Sequence, residues 1–334
     1  MTVQVTIIGL GQIGGSMGLA LAAQKEKIKR VGHDKDAEAA RAAQKAGAVD
    51  AVQFNLPASV EQADVVVLSL PFNEVRDTLD FIRADLKEGA LVLDTSPAKR
   101  QGETWAGELL PPGRYYIGLV PAINPARLLE TGGGLEGAHA DLFQGATFLI
   151  CPQPGLPESV VRLATDFVTL LGATPIIADS SEADGLLAAM VTLPKLLAVS
   201  LVDATMNKPG WVDASNLAGH SYAMPVASAF DRDQADGLRE SALANRDNLV
   251  RVLDGVIASL RGLRDAIQNE DREDLDKKLN TAQAKAYDWL AERHLEKYRL
   301  TDKTDEGKGS GNSSFGARLR QSLFGLSNSN RDGK

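Results

Sequence analysis

The chain has 334 residues, enough for two domains with ordinary cores. Hydrophobic residues make up 44% and charged residues 24%, and a formal net charge of −8 argues against nucleic acid or an anionic membrane as partner. A single cysteine, Cys151, permits no internal disulfide, and no Cys/His spacing suggests a metal site. The first residues, MTVQVTIIGLG, read as a strand entering a loop and lack the order of a signal peptide. No uninterrupted apolar run reaches membrane-spanning length. The expectation is a cytoplasmic protein with no membrane partner.

The strand Val3–Gly9 runs into Gly9-Leu10-Gly11-Gln12-Ile13-Gly14-Gly15-Ser16, which opens a helix. In this spacing Gly9 permits a tight turn, Gly11 lets the backbone approach a pyrophosphate, and Gly14 lets the helix pack closely on the strand. The flanking Gln12 and Ile13 supply the first helical N–H groups, which favour an anion. Asp34 follows 20 positions after Gly14, at the end of the strand Arg30–Asp34. A carboxylate there accepts hydrogen bonds from ribose hydroxyls and repels a 2′-phosphate, so the motif points to NAD; His33 and Lys35 beside it leave NADP open.

Further strands are expected at Asp64–Leu70, Ala90–Asp94, Tyr116–Val120, Ala146–Cys151 and Thr174–Ile177. Several are continuous apolar runs, which suit strands covered on both faces of a parallel sheet. Leu70 and Pro71 end one of them at the carboxyl edge and form an expected wall beside the cofactor. Strand–helix alternation over residues 1–178 predicts a Rossmann-type doubly wound α/β domain.

From residue 179 the strands stop, and residues 179–300 read as an all-α dimerisation and substrate domain. Glu182–Asn207 is a long, mostly apolar helix in which Pro194 should introduce a kink. Leu238, Ala242, Asn245, Leu249, Val252, Val256, Leu260, Leu263 and Ile267 trace one face of a second long helix, and Leu275, Leu279, Ala282, Ala286 and Trp289 one face of a third. These stripes serve an intrachain core or a homodimer interface. Residues 301–334 begin with a Gly- and Ser-rich stretch and read as a flexible tail.

The ordered series GLGQIGGS, ADVVVLSLP, LVLDTSPAK, YYIGLVPA, ADLFQGATFLICP, LPKLLAVSLVDA and ANRDN resembles the prephenate and arogenate dehydrogenases. Those enzymes oxidatively decarboxylate a cyclohexadienyl substrate to make tyrosine precursors. The resemblance covers roughly residues 3–295 and implies a helical dimerisation domain and a small carboxylate substrate. It departs at the reacting groups. The family's histidine before a proline is Val120 here, followed by Pro121; the serine of its Asp-x-x-Ser-x-Lys segment is Pro97, while Asp94 and Lys99 stand. Its long-helix histidines are Ala183, Thr192 and Lys195 here, and Arg232 is the arginine nearest to its substrate-carboxylate position.

The proton of a substrate hydroxyl then needs another acceptor, since valine has none. On the long helix Asp184, Ala188, Val191 and Lys195 are separated by 4, 3 and 4 and are expected to share a face, with Thr192 beside it. Lys195 is the first candidate acid or base, Lys99 the second, and His220 the one histidine near the expected site. Two other readings stay open: a dehydrogenase or imine reductase of the same architecture acting on another small substrate such as a 3-hydroxy acid, and an NAD-binding protein with little catalysis.

Overall fold

Apolar β-rich segments alternate with helices along the first half of the chain, and their backbone groups pair into one eight-stranded sheet. The structure, a computed structural model, describes residues 2–130, 132–229 and 235–301. The strands are β1 (Val3–Ile8), β2 (Ile28–His33), β3 (Ala51–Val52), β4 (Val65–Leu68), β5 (Leu91–Asp94), β6 (Tyr115–Pro121), β7 (Thr147–Pro152) and β8 (Thr174–Ile177). The helices of this half are α1 (Gln12–Ala20), α2 (Ala37–Lys45), α3 (Leu56–Val60), α4 (Phe72–Ile82), α5 (Lys99–Leu109) and α6 (Glu158–Leu170). The spatial order is β3-β2-β1-β4-β5-β6-β7-β8, with the order reversing between β1 and β4.

Alternate residues of each strand feed two cores, as a period of two requires. Val5 and Ile7 join Met17, Leu21, Ala40, Phe148 and Phe167 on one face. Ile8 joins Val66, Leu68, Val75, Leu79, Val92 and Ala106 on the other. The expected parallel sheet is realised from β3 to β6 only. β7 runs antiparallel to β6, and β8 runs parallel to β7. The link from β6 to β7 carries only a short 3₁₀ turn, Pro125–Arg127, so no crossover helix returns the chain to the same end. β8 is the edge strand, and its Ile176 and Ile177 are exposed, although the apolar run predicts cover on both faces. Pro175 fits an edge because the missing N–H faces no partner strand.

The helical half contains α7 (Ser180–Leu187), α8 (Leu193–Met206), α9 (Trp211–Ser215), α10 (His220–Val226), α11 (Ala235–Ala244), α12 (Arg246–Gln268) and α13 (Arg272–Thr301). The expected kink at Pro194 takes the form of a π turn, Ala188–Thr192, joining α7 to α8. The Leu193 N–H reaches back five residues to the Ala188 carbonyl, a spacing that accommodates a proline in the next turn. The run Ser180–Met206 is long and apolar enough to cross a membrane by length and composition. Counting uninterrupted apolar residues misses it because Glu182, Asp184, Lys195 and Asp203 punctuate it. The second long helix is two segments, α11 and α12, meeting at Asn245, whose side chain is drawn to the Asp184 carbonyl at 2.7 Å.

By its contacts the chain divides between Ser259 and Leu260, within α12. The first unit takes in α7 and α11, which pack on α5 and α4 respectively, so strand-bearing and helical sequence share it. The second unit holds the end of α12 and α13, on which Leu279 and Trp289 are exposed. Arg232, the side chain of His294 and the tail beyond residue 301 lie outside the described residues.

One close approach sets the seat of α1. A Cβ on Gly18 would lie 2.2 Å from the Ala48 carbonyl oxygen. The Arg30 guanidinium locks this contact by donating to the carbonyls of Gly18 at 2.9 Å and Gly47 at 2.8 Å while pairing with Asp50. Gly18→Ala should therefore destabilise the chain by about 1–3 kcal/mol through overpacking. Chemical denaturation should show a lower midpoint at an unchanged slope.

Candidate functional site

Strand register decides which loops meet. Ile8 lies opposite both His33 and Leu68, Leu68 opposite Asp94, and Asp94 opposite Gly118. The residues that follow the paired positions on these five strands therefore emerge along one carboxyl edge: Gly9–Gly14, Asp34, Leu70–Pro71, Thr95–Lys99 and Leu119–Pro121. In open sheets of this kind ligands bind beyond the carboxyl ends of the strands where the strand order reverses, and here the order reverses between β1 and β4.

The glycine loop has the expected mechanics. Gly9 has φ +90°, and a Cβ there would lie 2.2 Å from the Ser69 oxygen. A Cβ on Gly14 would lie 2.0 Å from the Gly9 oxygen, so only glycine lets α1 sit this close to β1. A Cβ on Gly11 would meet nothing within 4 Å, which leaves open space over the loop. No side chain caps the first turn of α1, so its N–H groups point into that space. Ile13 packs against the core, and the Gln12 amide donates at 3.4 Å to the Gly132 carbonyl. The Ser16 hydroxyl accepts the His139 N–H at 2.9 Å. Together these contacts bring the long loop after Pro121 onto the start of α1.

Asp34 accepts N–H groups from Leu10 at 2.8 Å and Asp36 at 2.9 Å, one on each oxygen. Its carboxylate is thereby aimed along the edge, with lone pairs left for further donors. The side chain of Leu70 closes over Gly9, and Pro71 is the first residue before α4, ending the strand run as expected.

Beyond β5 lies a buried polar network. Asp94, fully buried, accepts from the Ser96 N–H and hydroxyl, each at 2.8 Å, and from the Tyr116 hydroxyl at 2.6 Å. Burial and the adjacent carboxylate push the Tyr116 phenol well above its usual range. The Lys99 ammonium donates to the carbonyls of Asp94 at 2.8 Å and Ser96 at 2.5 Å. Burial pulls this amine below the usual lysine range. Two glycines make the room: a Cβ on Gly102 would lie 2.2 Å from the Tyr116 hydroxyl, and one on Gly118 would lie 2.8 Å from the Lys99 side chain.

Asp184 joins this network from α7. Its two oxygens accept the N–H groups of Lys99 at 2.5 Å and Arg100 at 3.2 Å, so it caps the N-terminus of α5 from another helix. Burial raises its carboxyl above the usual aspartate range, against the pull of those N–H groups. Ala98, just before the capped turn, takes φ +69°. That left-handed geometry costs on the order of 1–3 kcal/mol for a residue with a Cβ.

The face predicted for α7 and α8 is corrected by the π turn. Asp184, Ala188 and Thr192 are buried, whereas Val191 is exposed. The wider turn adds a residue to the helical phase, which places Thr192 where Val191 was expected. Lys195 is half-buried in the first turn of α8, and His220 is exposed at the start of α10. Val120 and Pro121 are half-buried and paired with Leu149 and Phe148 of β7. Sequence reasoning missed Ser96 and Tyr116. The available signal was a tyrosine hydroxyl within an apolar strand, since a buried hydroxyl demands a partner. Among the described residues no cluster of His, Cys, Asp or Glu could hold a metal ion.

Cys151, on β7 beside Gly118, is 2% exposed, and burial raises its thiol to about 11. About one thiol in a thousand is ionised at pH 8 in the native chain, against about one in ten once unfolded. A disulfide reagent should therefore label the native protein only on the timescale of unfolding. Because the folded value is raised, the thiol's contribution to stability is full below about pH 9 and is lost as pH rises through about 11. Cys151→Ser should reduce the loss of stability across that range in alkaline denaturation curves.

The family model described as the prephenate dehydrogenase nucleotide-binding domain matches residues 17–177. The chain is 23% identical over 291 residues to a prephenate dehydrogenase of Bacillus subtilis, covering 83% of this chain and 74% of that protein. It is 26% identical over 271 residues to a cyclohexadienyl dehydrogenase of Zymomonas mobilis, covering 80% and 89%. Among solved structures, a prephenate dehydrogenase of A. aeolicus in complex with hydroxyphenyl propionate and NAD+ superposes with a TM-score of 0.73 at 23% identity, covering 86% of this chain and 98% of that one.

Proposed function

We propose that this chain acts as the prephenate and cyclohexadienyl dehydrogenases it resembles do, oxidising a small cyclohexadienyl carboxylate with NAD, releasing carbon dioxide and yielding a tyrosine precursor. The observation that carries this reading is the register that lines up the glycine loop, Asp34 and the Asp94–Lys99 turn on one edge of the sheet. The residues fit the cofactor. Space over Gly11 and the uncapped turn of α1 suit a pyrophosphate, and the remaining lone pairs of Asp34 suit ribose hydroxyls. When bound, NAD supplies the hydride acceptor, and the chain supplies orientation and a place for the proton.

Lys195 is the group we assign to that proton. Lys99 is enclosed and bound to two carbonyls, and both oxygens of Asp184 hold the end of α5. Neither is therefore placed to exchange a proton with substrate. Lys195 sits one turn beyond the buried Thr192, on the helix that the family resemblance places against substrate. An amine there can carry the hydroxyl proton that Val120 cannot.

The proposed assembly is a homodimer through the helical half. Leu186, Met190, Val191, Leu197 and Val199 are exposed on the α7–α8 run. Leu260 and Ile267 are exposed on α12, and Leu279 and Trp289 on α13. A second copy would remove this apolar surface from water.

The test of the reaction is NADH formation with prephenate, arogenate and a panel of 3-hydroxy acids. Turnover with prephenate or arogenate is expected, turnover with the panel alone would redirect the reading to a different substrate, and turnover with none would leave a dinucleotide-binding protein. With the turned-over substrate, Lys195→Met should cut kcat by ~10²–10⁴-fold while NAD affinity changes little. Full turnover in that variant would remove Lys195 from the proton path. For the assembly, sedimentation at micromolar concentration should give twice the chain mass, and Met190→Glu with Leu197→Glu should return it to one.

A further inference from the structure

Dinucleotide choice in this fold turns on charge at the end of the second strand, where a carboxylate favours NAD and a basic group accommodates a 2′-phosphate. This chain carries both signs there, in Asp34 and the adjoining Lys35. By sequence alone the lysine is positioned to welcome NADP. The structure commits it elsewhere. The Lys35 ammonium donates to the Glu74 carboxylate at 2.7 Å, an ion pair that runs from the end of β2 to the first turn of α4.

We propose that Glu74 is a second determinant of dinucleotide choice, acting by holding the Lys35 ammonium away from a 2′-phosphate. The proposal rests on the reading of this edge as a dinucleotide site. Glu74 suits the role because it is the anchored member of the pair. Its side chain is 27% exposed against 69% for Lys35, and its N–H closes the helix turn onto the Pro71 carbonyl at 3.0 Å. Two other basic groups of this region are also engaged. The His33 ring nitrogen Nδ1 lies 2.9 Å from the Gln53 carbonyl oxygen, and the Arg41 guanidinium lies 5.3 Å over the Phe54 ring. A dianionic 2′-phosphate would thus meet the carboxylates of Asp34 and Glu74 with the nearest ammonium already paired. The effect is electrostatic at a solvated position, so it should weaken as salt rises.

The experiment measures Kd for NAD+ and NADP+ on the full chain at low ionic strength, following quenching of its tryptophan emission. Glu74→Gln keeps the shape of the side chain and removes its charge. It should shift the NAD+/NADP+ affinity ratio toward NADP+ by about two- to fivefold, the scale that an exposed ion pair sets. In Lys35→Met/Glu74→Gln the shift should disappear, because the freed ammonium is gone. An unchanged ratio in Glu74→Gln would overturn the proposal, and so would a shift that survives in the double variant. Failure of the unaltered chain to bind either dinucleotide is a separate result, and it would overturn the dinucleotide reading beneath.

Discussion

A carboxylate taken out of water must find donors, and Asp184 finds them at the open end of a different helix. Its oxygens take the N–H groups of Lys99 and Arg100, and the dipole of α5 favours the negative charge placed there. Its own carbonyl accepts the Asn245 side chain, which ties the junction of α11 and α12 to the same point. One residue of α7 thereby joins a sheet-covering helix to the helical half. The surrounding geometry has little freedom once this joint is made. Leaving either side unpaired would strand a charge or two N–H groups inside the protein.

The turn between β5 and α5 inherits its shape from that joint. Ala98 accepts a left-handed backbone so that both N–H groups face Asp184. Lys99 then folds back under the turn and holds the carbonyls of Asp94 and Ser96, while Tyr116 and Ser96 satisfy the Asp94 carboxylate. This is a fully paired network in a low-dielectric setting, where each bond polarises the next. It stands at the edge of the sheet where the proposed reaction takes place, and its paired groups stiffen that edge. Phe72 and Trp105 extend the wall by stacking at 4.8 Å between α4 and α5.

The same economy of groups separates a scaffold from a reacting site. A lysine and two aspartates look like catalytic machinery when counted along the chain. In the structure, Asp94, Lys99 and Asp184 bind one another's backbone and neighbours, whereas Lys195 is a half-buried residue of the first turn of α8. The π turn also moves Thr192 into the buried series with Asp184 and Ala188. Helix phase is thus a tertiary property here, set by a proline whose missing N–H must be accommodated one residue upstream of a functional candidate.

Local physics made much of this protein legible in its sequence. Short β-rich runs located seven of the eight strands to within two residues, most clearly in β4 and β5, where burial on both faces leaves no room for polar side chains along the run Val65–Leu68. The glycine spacing announced its loop because only glycine tolerates the φ of Gly9 and the contact of Gly14 with the Gly9 oxygen. The two-residue β3 was too short to leave a pattern. The reversal of β7 and β8, the exposed edge at Ile176 and Ile177, and the wider helical turn before Pro194 were decided in three dimensions. So were the partners of Asp184, 85 and 84 positions away along the chain, and the pairing of Lys35 with Glu74, 39 positions away. Periodicity reports which residues want burial or a turn. Which charge meets which donor depends on the order in which strands assemble, and that order brings together residues that no local pattern relates.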